Sequence, residues 1–276
     1  MAISAAAVKK LRQLTGAGMM DCKNALTEAN GDMEHAIEII REKGKLIASK
    51  RSDREASEGV VLANISENHK YGTLTVLNCE TDFVASNDSF VALARQFADV
   101  AVAQQPADLE VLKNASAGDR LVNDLIIEQT AVIGEKIDLS YLASIEAETV
   151  VGYIHPGNRL ATIVGFNKAG IDVQVGKDVA MQIAAMSPVG IDKEDVAQEI
   201  IDKELEIAME KYRLEGKPEN MLEKIAKGSL NKFFKENTLL NQAFIKDAKQ
   251  SVREYLAACD KDLVVTKFYR YSLDQN

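Results

Sequence analysis

The passage from Thr73 to Val100 constrains the fold more than any other. Thr73-Leu74-Thr75-Val76-Leu77 is β-branched and apolar and predicts a strand, whereas Phe90, Leu93, Phe97 and Val100 recur at helical spacing. A connection from strand to helix runs over the surface, where polar turn chemistry is the rule. This connection, Asn78-Cys79-Glu80-Thr81-Asp82-Phe83-Val84-Ala85-Ser86-Asn87, instead carries a Phe and a Val. Those side chains are either tucked back under the core or held out for a partner.

The rest of the chain arranges itself around that passage as an α+β protein. Residues 1–45 predict three short helices, striped by Val8, Leu11 and Leu14, then by Met19, Cys22, Ala25, Leu26 and Ala29, then by Met33, Ile37 and Ile40. Asp32 is the expected N-cap of the third and Gly44 its expected end. Helices this short bury little, which leaves part of one face for something else. Residues 46–58 are charged and Ser-rich and read as a linker. Residues 59–147 give a hairpin (Val60 to Ile65, Tyr71 to Cys79), the loop, a helix stopping before Pro106, a second helix ending at Gly134, and a strand from Asp138. In residues 148–276 the order recurs. A hairpin turns at His155-Pro156-Gly157-Asn158-Arg159, a helix carries Val175, Val179 and Ile183, a later one carries Val252 and Leu256, and a strand runs through Asp262 to Phe268. An insertion over residues 190–227 reads as an antiparallel helical hairpin turning at Gly216-Lys217-Pro218, with Val196, Ile200, Leu205 and Ile207 against Met221, Leu222 and Ile225.

Catalysis finds little support. His35, His69 and His155 lie in different elements, and neither a Cys-x-x-Cys spacing nor a Gly-rich loop followed by Lys occurs. Cys79 is a possible nucleophile, but at a strand end it reads more simply as packed thiol. Glu80 and Asp82, two positions apart, are a possible acid/base pair or simply solvated acids. The net charge of −9 disfavours phosphate backbones. Lys43, Lys45, Lys50, Arg51 and Arg54 are interrupted by acids and read as a solvated segment. No apolar run approaches the roughly 20 residues that span a bilayer, the first residues lack the basic-then-apolar order of a signal peptide, and the three cysteines form no framework, so a cytoplasmic setting is expected. A binding module is the better reading. Adjacent helical positions face different ways, so at least one of Met19 and Met20 is expected at the surface, where a soft side chain suits a partner.

Two stretches carry a resemblance. Thr15-Gly16-Ala17-Gly18-Met19-Met20-Asp21-Cys22-Lys23-Asn24-Ala25-Leu26 and Asn78-Cys79-Glu80-Thr81-Asp82-Phe83-Val84-Ala85 resemble the two signatures of the bacterial elongation factor Ts family. The order of elements is similar over essentially the whole chain. The resemblance implies a ubiquitin-associated-like N-terminal module, a duplicated α+β core and an inserted antiparallel coiled coil. It also implies a guanine-nucleotide exchange factor for elongation factor Tu rather than an enzyme. Such a factor uses no cofactor, holds no nucleotide itself and contacts neither nucleic acid nor membrane. By position, Thr81, Asp82, Phe83 and Val84 would intrude beside the partner's Mg²⁺ site. Leu11, Met19, Met20 and Asp21 would contact its nucleotide-binding domain, and His155 would touch it from the second half. Two features depart from relatives: Ser86 stands where many have Arg or Lys, and the chain stops at Asp274-Gln275-Asn276 where some continue into a short helix. The other readings are a ribosome-associated docking module, which the N-terminal helices fit and the Thr81–Val84 loop does not, and a hydrolase built on Cys79 or Asp82.

Overall fold

The computed structural model describes residues 3–275; Met1, Ala2 and Asn276, included above in the first and last units, lie outside the described residues. Three helices come first: α1 (Ala5–Thr15), α2 (Met19–Glu28) and α3 (Met33–Arg51). Their ends have local causes. The Ser4 side chain accepts from the Ala7 N–H and that of Asp32 from the His35 N–H, satisfying donors that a first helical turn leaves unpaired. Gly16 closes α1 in the left-handed region at φ 68°. Leu11, Cys22, Ala25, Leu26 and Ala36 bury one another at the centre of the module. This corrects the expectation for Leu11, which is 0 % exposed and fills the module's own core, while Leu14 remains 47 % exposed. Leu11 therefore has no face to offer a partner.

The first core half comprises β1 (Glu58–Ile65), β2 (Tyr71–Cys79), α4 (Asp82–Ala85), α5 (Asp88–Gln104), α6 (Leu109–Lys113), α7 (Val122–Ile133) and β3 (Asp138–Glu146). The second comprises β4 (Thr149–Ile154), β5 (Leu160–Phe166), α8 (Val173–Met186), α9 (Gln198–Leu214), α10 (Glu219–Asn237), β6 (Ala243–Phe244), β7 (Asp247–Ser251), α11 (Val252–Cys259) and β8 (Val265–Ser272). Strands β1-β2-β3 form one antiparallel sheet and β4-β5-β8 another, each with the hairpin first and the returning strand beside its second member. The sheets lie face to face through Val61, Leu74, Val76, Ala143, Val150, Ala161 and Ile163. On the outer face of the first, Leu77 and Leu139 meet Phe90 and Phe97 of α5, Leu112 of α6 and Val122 of α7. On the outer face of the second, Val164 and Phe166 meet Val179 and Ile183 of α8 and Leu256 of α11. Four layers result, helices outside and sheets inside. The central strands β2 and β5 are covered on both faces, which is why nearly every residue along them is buried, Thr73, Thr75 and Thr162 included.

Two boundaries differ from those read in the sequence. Gly44 does not end the third helix, which continues to Arg51; this glycine lies where α3 packs against α7, and a Cβ there would meet that of Ala131 at an ordinary contact distance of 3.5 Å. Residues 46–51 are thus helix, and only the short stretch before Glu58 connects module to core. The inserted hairpin also extends further than residue 227. α10 runs unbroken through Gly228 to Asn237 and stops where the Thr238 hydroxyl donates to the Phe234 carbonyl. Its outgoing limb starts only at Gln198, because Asp192 is fixed in a separate cap and paired with Arg253. Leu222 and Ala226 are buried along it, whereas Ile207 and Met221, expected in the seam, are 52 % and 45 % exposed.

The module core makes a direct prediction. Leu11→Ala should cost about 2–5 kcal/mol, because it leaves a cavity among short helices that cannot collapse far. Hydrogen exchange of the amides in residues 5–51 should accelerate accordingly, and unchanged protection would remove Leu11 from the core.

Candidate functional site

Beyond Cys79 the chain leaves the first sheet and turns within a few residues into α5. Thr81 is extended, with φ −125° and ψ 153°, and its hydroxyl accepts from the Val84 N–H, capping the single turn α4. The Ser86 hydroxyl donates to the carbonyls of Asp82 at 2.8 Å and Phe83 at 3.1 Å, satisfying acceptors at the other end. Asn87 then caps α5.

This turn rests on two glutamates. The Glu135 carboxylate accepts from the Glu80 N–H at 3.1 Å, the Thr81 N–H at 3.0 Å and the Thr81 hydroxyl at 2.7 Å. The Glu80 carboxylate accepts in turn from the Lys136 N–H at 2.6 Å, Arg51 at 2.9 Å and Arg54 at 3.1 Å. Lys136 Nζ donates to the carbonyls of Ser52 and Arg54. The end of β2, the residues after α7 and the end of α3 are thereby tied into one knot of charge-assisted hydrogen bonds. The Lys136 N–H, with Arg54 and Arg51 behind it, holds the Glu80 carboxyl below the usual carboxylate range. A lowered folded pKa means that this contribution to stability is present above the ordinary carboxylate pKa and is lost as pH falls through the lowered one.

On that base Phe83 stands 82 % exposed, the most exposed large apolar side chain among the described residues, while Val84 packs against the core of the first half. Of the two arrangements open at the outset, each residue takes one: Val84 is tucked in and Phe83 is held out. Asp82 is exposed beside it. Glu80 and Asp82 do not form an acid/base pair, since Glu80 is occupied by three donors and Asp82 faces water. Cys79 is buried, and burial, reinforced by the charge of Glu135, pushes its thiol up to about 12; its Sγ donates to the Thr81 carbonyl. It is packing, not a nucleophile.

Met19 and Met20 at the start of α2 are 58 % and 65 % exposed, so both face outward. Asp21 pairs with Lys43 of α3. His155 is exposed in the β4–β5 turn, 2.9 Å from the Tyr153 hydroxyl. That turn is stapled to the edge of the first sheet: the Val61 N–H donates to the Asn158 carbonyl at 2.7 Å, and Arg159 pairs with Glu58 and Asp274. Glu58 is in register with Cys79, so the His155 turn and the Phe83 loop share one end of β1 and β2. The module reaches the same place through Arg51 and Glu80. Sequence reading missed Glu135 and Lys136, and took Arg51 and Arg54 for a solvated linker; Gly134 marked a helix end, but nothing local signals what the next residues bind.

A cleft of about 260 Å³ separates module and core, lined by Ile37, Ile40, Ile127 and Ala131 with Arg41, Arg120 and Glu128. It brings no nucleophile against a base. Among the described residues no cluster of His, Cys, Asp and Glu could hold a metal ion, and no helix is long and apolar enough to cross a membrane.

Comparison with known proteins gives a consistent result. The family model described as Elongation factor TS matches residues 80–275. Proteins named Elongation factor Ts from Amoebophilus asiaticus and Christiangramia forsetii are 52 % and 50 % identical over 272 and 273 residues, 98 % of this chain and of each relative. One from Porphyromonas gingivalis is 48 % identical over 275 residues, 99 % of both chains.

The buried thiols give a simple check. At pH 8, iodoacetamide should label the exposed Cys259, with Cys22 and Cys79 slower by about a hundredfold or more until the chain is denatured. Peptide mass spectrometry reads the sites, and rapid native labelling of Cys79 would contradict its assignment.

Proposed function

The chain belongs to the elongation factor Ts family, and on that premise we propose that it is a translation elongation factor of the cytoplasm that binds elongation factor Tu and promotes release of GDP by disturbing the partner's Mg²⁺ site. The observation that carries this reading is Phe83, 82 % exposed on a polar base. Burying such a ring is worth about 1.5–3 kcal/mol, which a folding chain ordinarily uses for itself.

Phe83 acts as a wedge between partner elements and Asp82 as its polar guide. Displacing the groups that position Mg²⁺ strips neutralising charge from the bound diphosphate, and the nucleotide leaves faster. Binding of the factor and of the nucleotide weaken each other equally, because coupling free energies are reciprocal. A four-decade loss of nucleotide affinity corresponds to about 5.5 kcal/mol, more than one Phe supplies. The remainder comes from surfaces that hold the complex while the loop strains the site. Met19, Met20 and Asp21 on the module are the first of these and His155 on the second half is the other, with Thr81 and Val84 fixing the wedge from below. The acidic chain contributes no phosphate-binding patch of its own, and its role needs neither cofactor nor nucleotide. A docking module without exchange activity would account for the methionines and leave Phe83 unexplained.

Release of labelled GDP from purified elongation factor Tu tests the reading. Phe83→Ala should lower the stimulated rate about ten- to a hundredfold while the variant stays folded and still binds. Met20→Ala should instead raise the concentration of factor needed for half-maximal stimulation. Normal stimulation by the Phe83 variant would remove the wedge.

A further inference from the structure

A four-residue turn cannot hold itself, since one helical turn fixes more dihedral angles than its hydrogen bonds repay. Yet α4 has to present Phe83 in one place. The groups that hold it lie outside it in sequence. Glu135 follows Gly134, the left-handed residue ending α7 at φ 80°, and is thus carried by the end of a packed helix. Its one carboxylate takes two consecutive backbone N–H groups and the Thr81 hydroxyl, the same hydroxyl that caps the turn. Glu80 makes the reverse connection to the Lys136 N–H and adds Arg51, the last residue of α3.

We infer that Glu135 is a positioning residue for exchange: it fixes Thr81 so that Phe83 enters the partner already oriented, and the Glu80–Arg51 pair ties that orientation to the docked module. The inference rests on the wedge reading of Phe83. Its physical content is preorganisation. Without the carboxylate the turn samples other conformations, and the ordering otherwise completed on folding falls on the exchange step. Glu135 lies under the loop and not on its exposed side, so docking itself is little affected.

The chain contains no Trp, so Phe83→Trp places a single indole at the tip of the turn. In that background Glu135→Ala should increase the fast, nanosecond part of the indole anisotropy decay of the factor alone. In the natural background Glu135→Ala should lower the saturating rate of GDP release at least about tenfold, with the half-saturating concentration of factor changed less than about twofold. Glu135→Gln, which keeps a carbonyl acceptor, should fall between. An unchanged anisotropy decay, a wild-type saturating rate, or a rate loss accompanied by lost helical circular dichroism would each overturn the inference. Phe83→Ala runs alongside: if it also exchanges normally, the wedge itself has failed, whereas a slow Phe83→Ala with a fast Glu135→Ala refutes the positioning alone.

Discussion

Two sheets can share a core only if their backbones approach within the thickness of one interdigitated layer of side chains. At the places of closest approach this chain has glycine. A Cβ at Gly165 would sit 2.7 Å from Ile145 Cγ2, one at Gly152 3.1 Å from the Ala63 Cβ, and one at Gly72 2.7 Å from Val150 Cγ1. The contact so permitted does more than bury Val61, Val76 and Ile163. It sets the β4–β5 turn against the edge of β1, where Asn158 and Arg159 bind Val61 and Glu58. The His155 turn takes its position from this packing, at the same end of β1 and β2 as the Phe83 loop.

Around the loop, apolar and polar forces act in opposite directions. Water would drive Phe83 inward. Val84, one residue on, is allowed to go in, and the turn that carries both is held by hydrogen bonds to carboxylates that are only partly desolvated. Those bonds are stronger than neutral ones and sensitive to geometry, so they fix where the backbone goes without offering the ring anything to bury against. A hydrophobic base would have absorbed the phenyl group. An acidic base, satisfied by backbone N–H groups and by Arg51 and Arg54, leaves it in solvent.

Much of the fold was legible in the residues. The two hairpins, the helices ending at Gln104 and Gly134, and the strand from Asp138 all follow from period and from stop signals. The errors have common causes. Gly44 reads as a stop because glycine does end helices, but α3 continues through it packed against α7, which lies in a distant part of the sequence. The family resemblance points Leu11 at a partner surface, while its position in the helical stripe already turns it toward Leu26. The residues supporting the site were invisible for a different reason. Glu80 meets Arg51 across 29 positions and the Lys136 N–H across 56, and a long-range ion pair or hydrogen bond carries no period by which its partner can be found.

The sequence by itself determined the α+β class, the order of elements, at least one exposed methionine at Met19-Met20, and the loop from Thr81 to Val84 as the place where something unusual happens. Each of those is encoded locally, in spacing, capping and turn chemistry. Only the tertiary structure decided that Phe83 faces water while Val84 does not, that Leu11 is core, and that the loop, the module and the His155 turn converge. Those outcomes depend on which surfaces remain after the sheets and helices have packed, and that is a property of long-range contacts rather than of any stretch of chain.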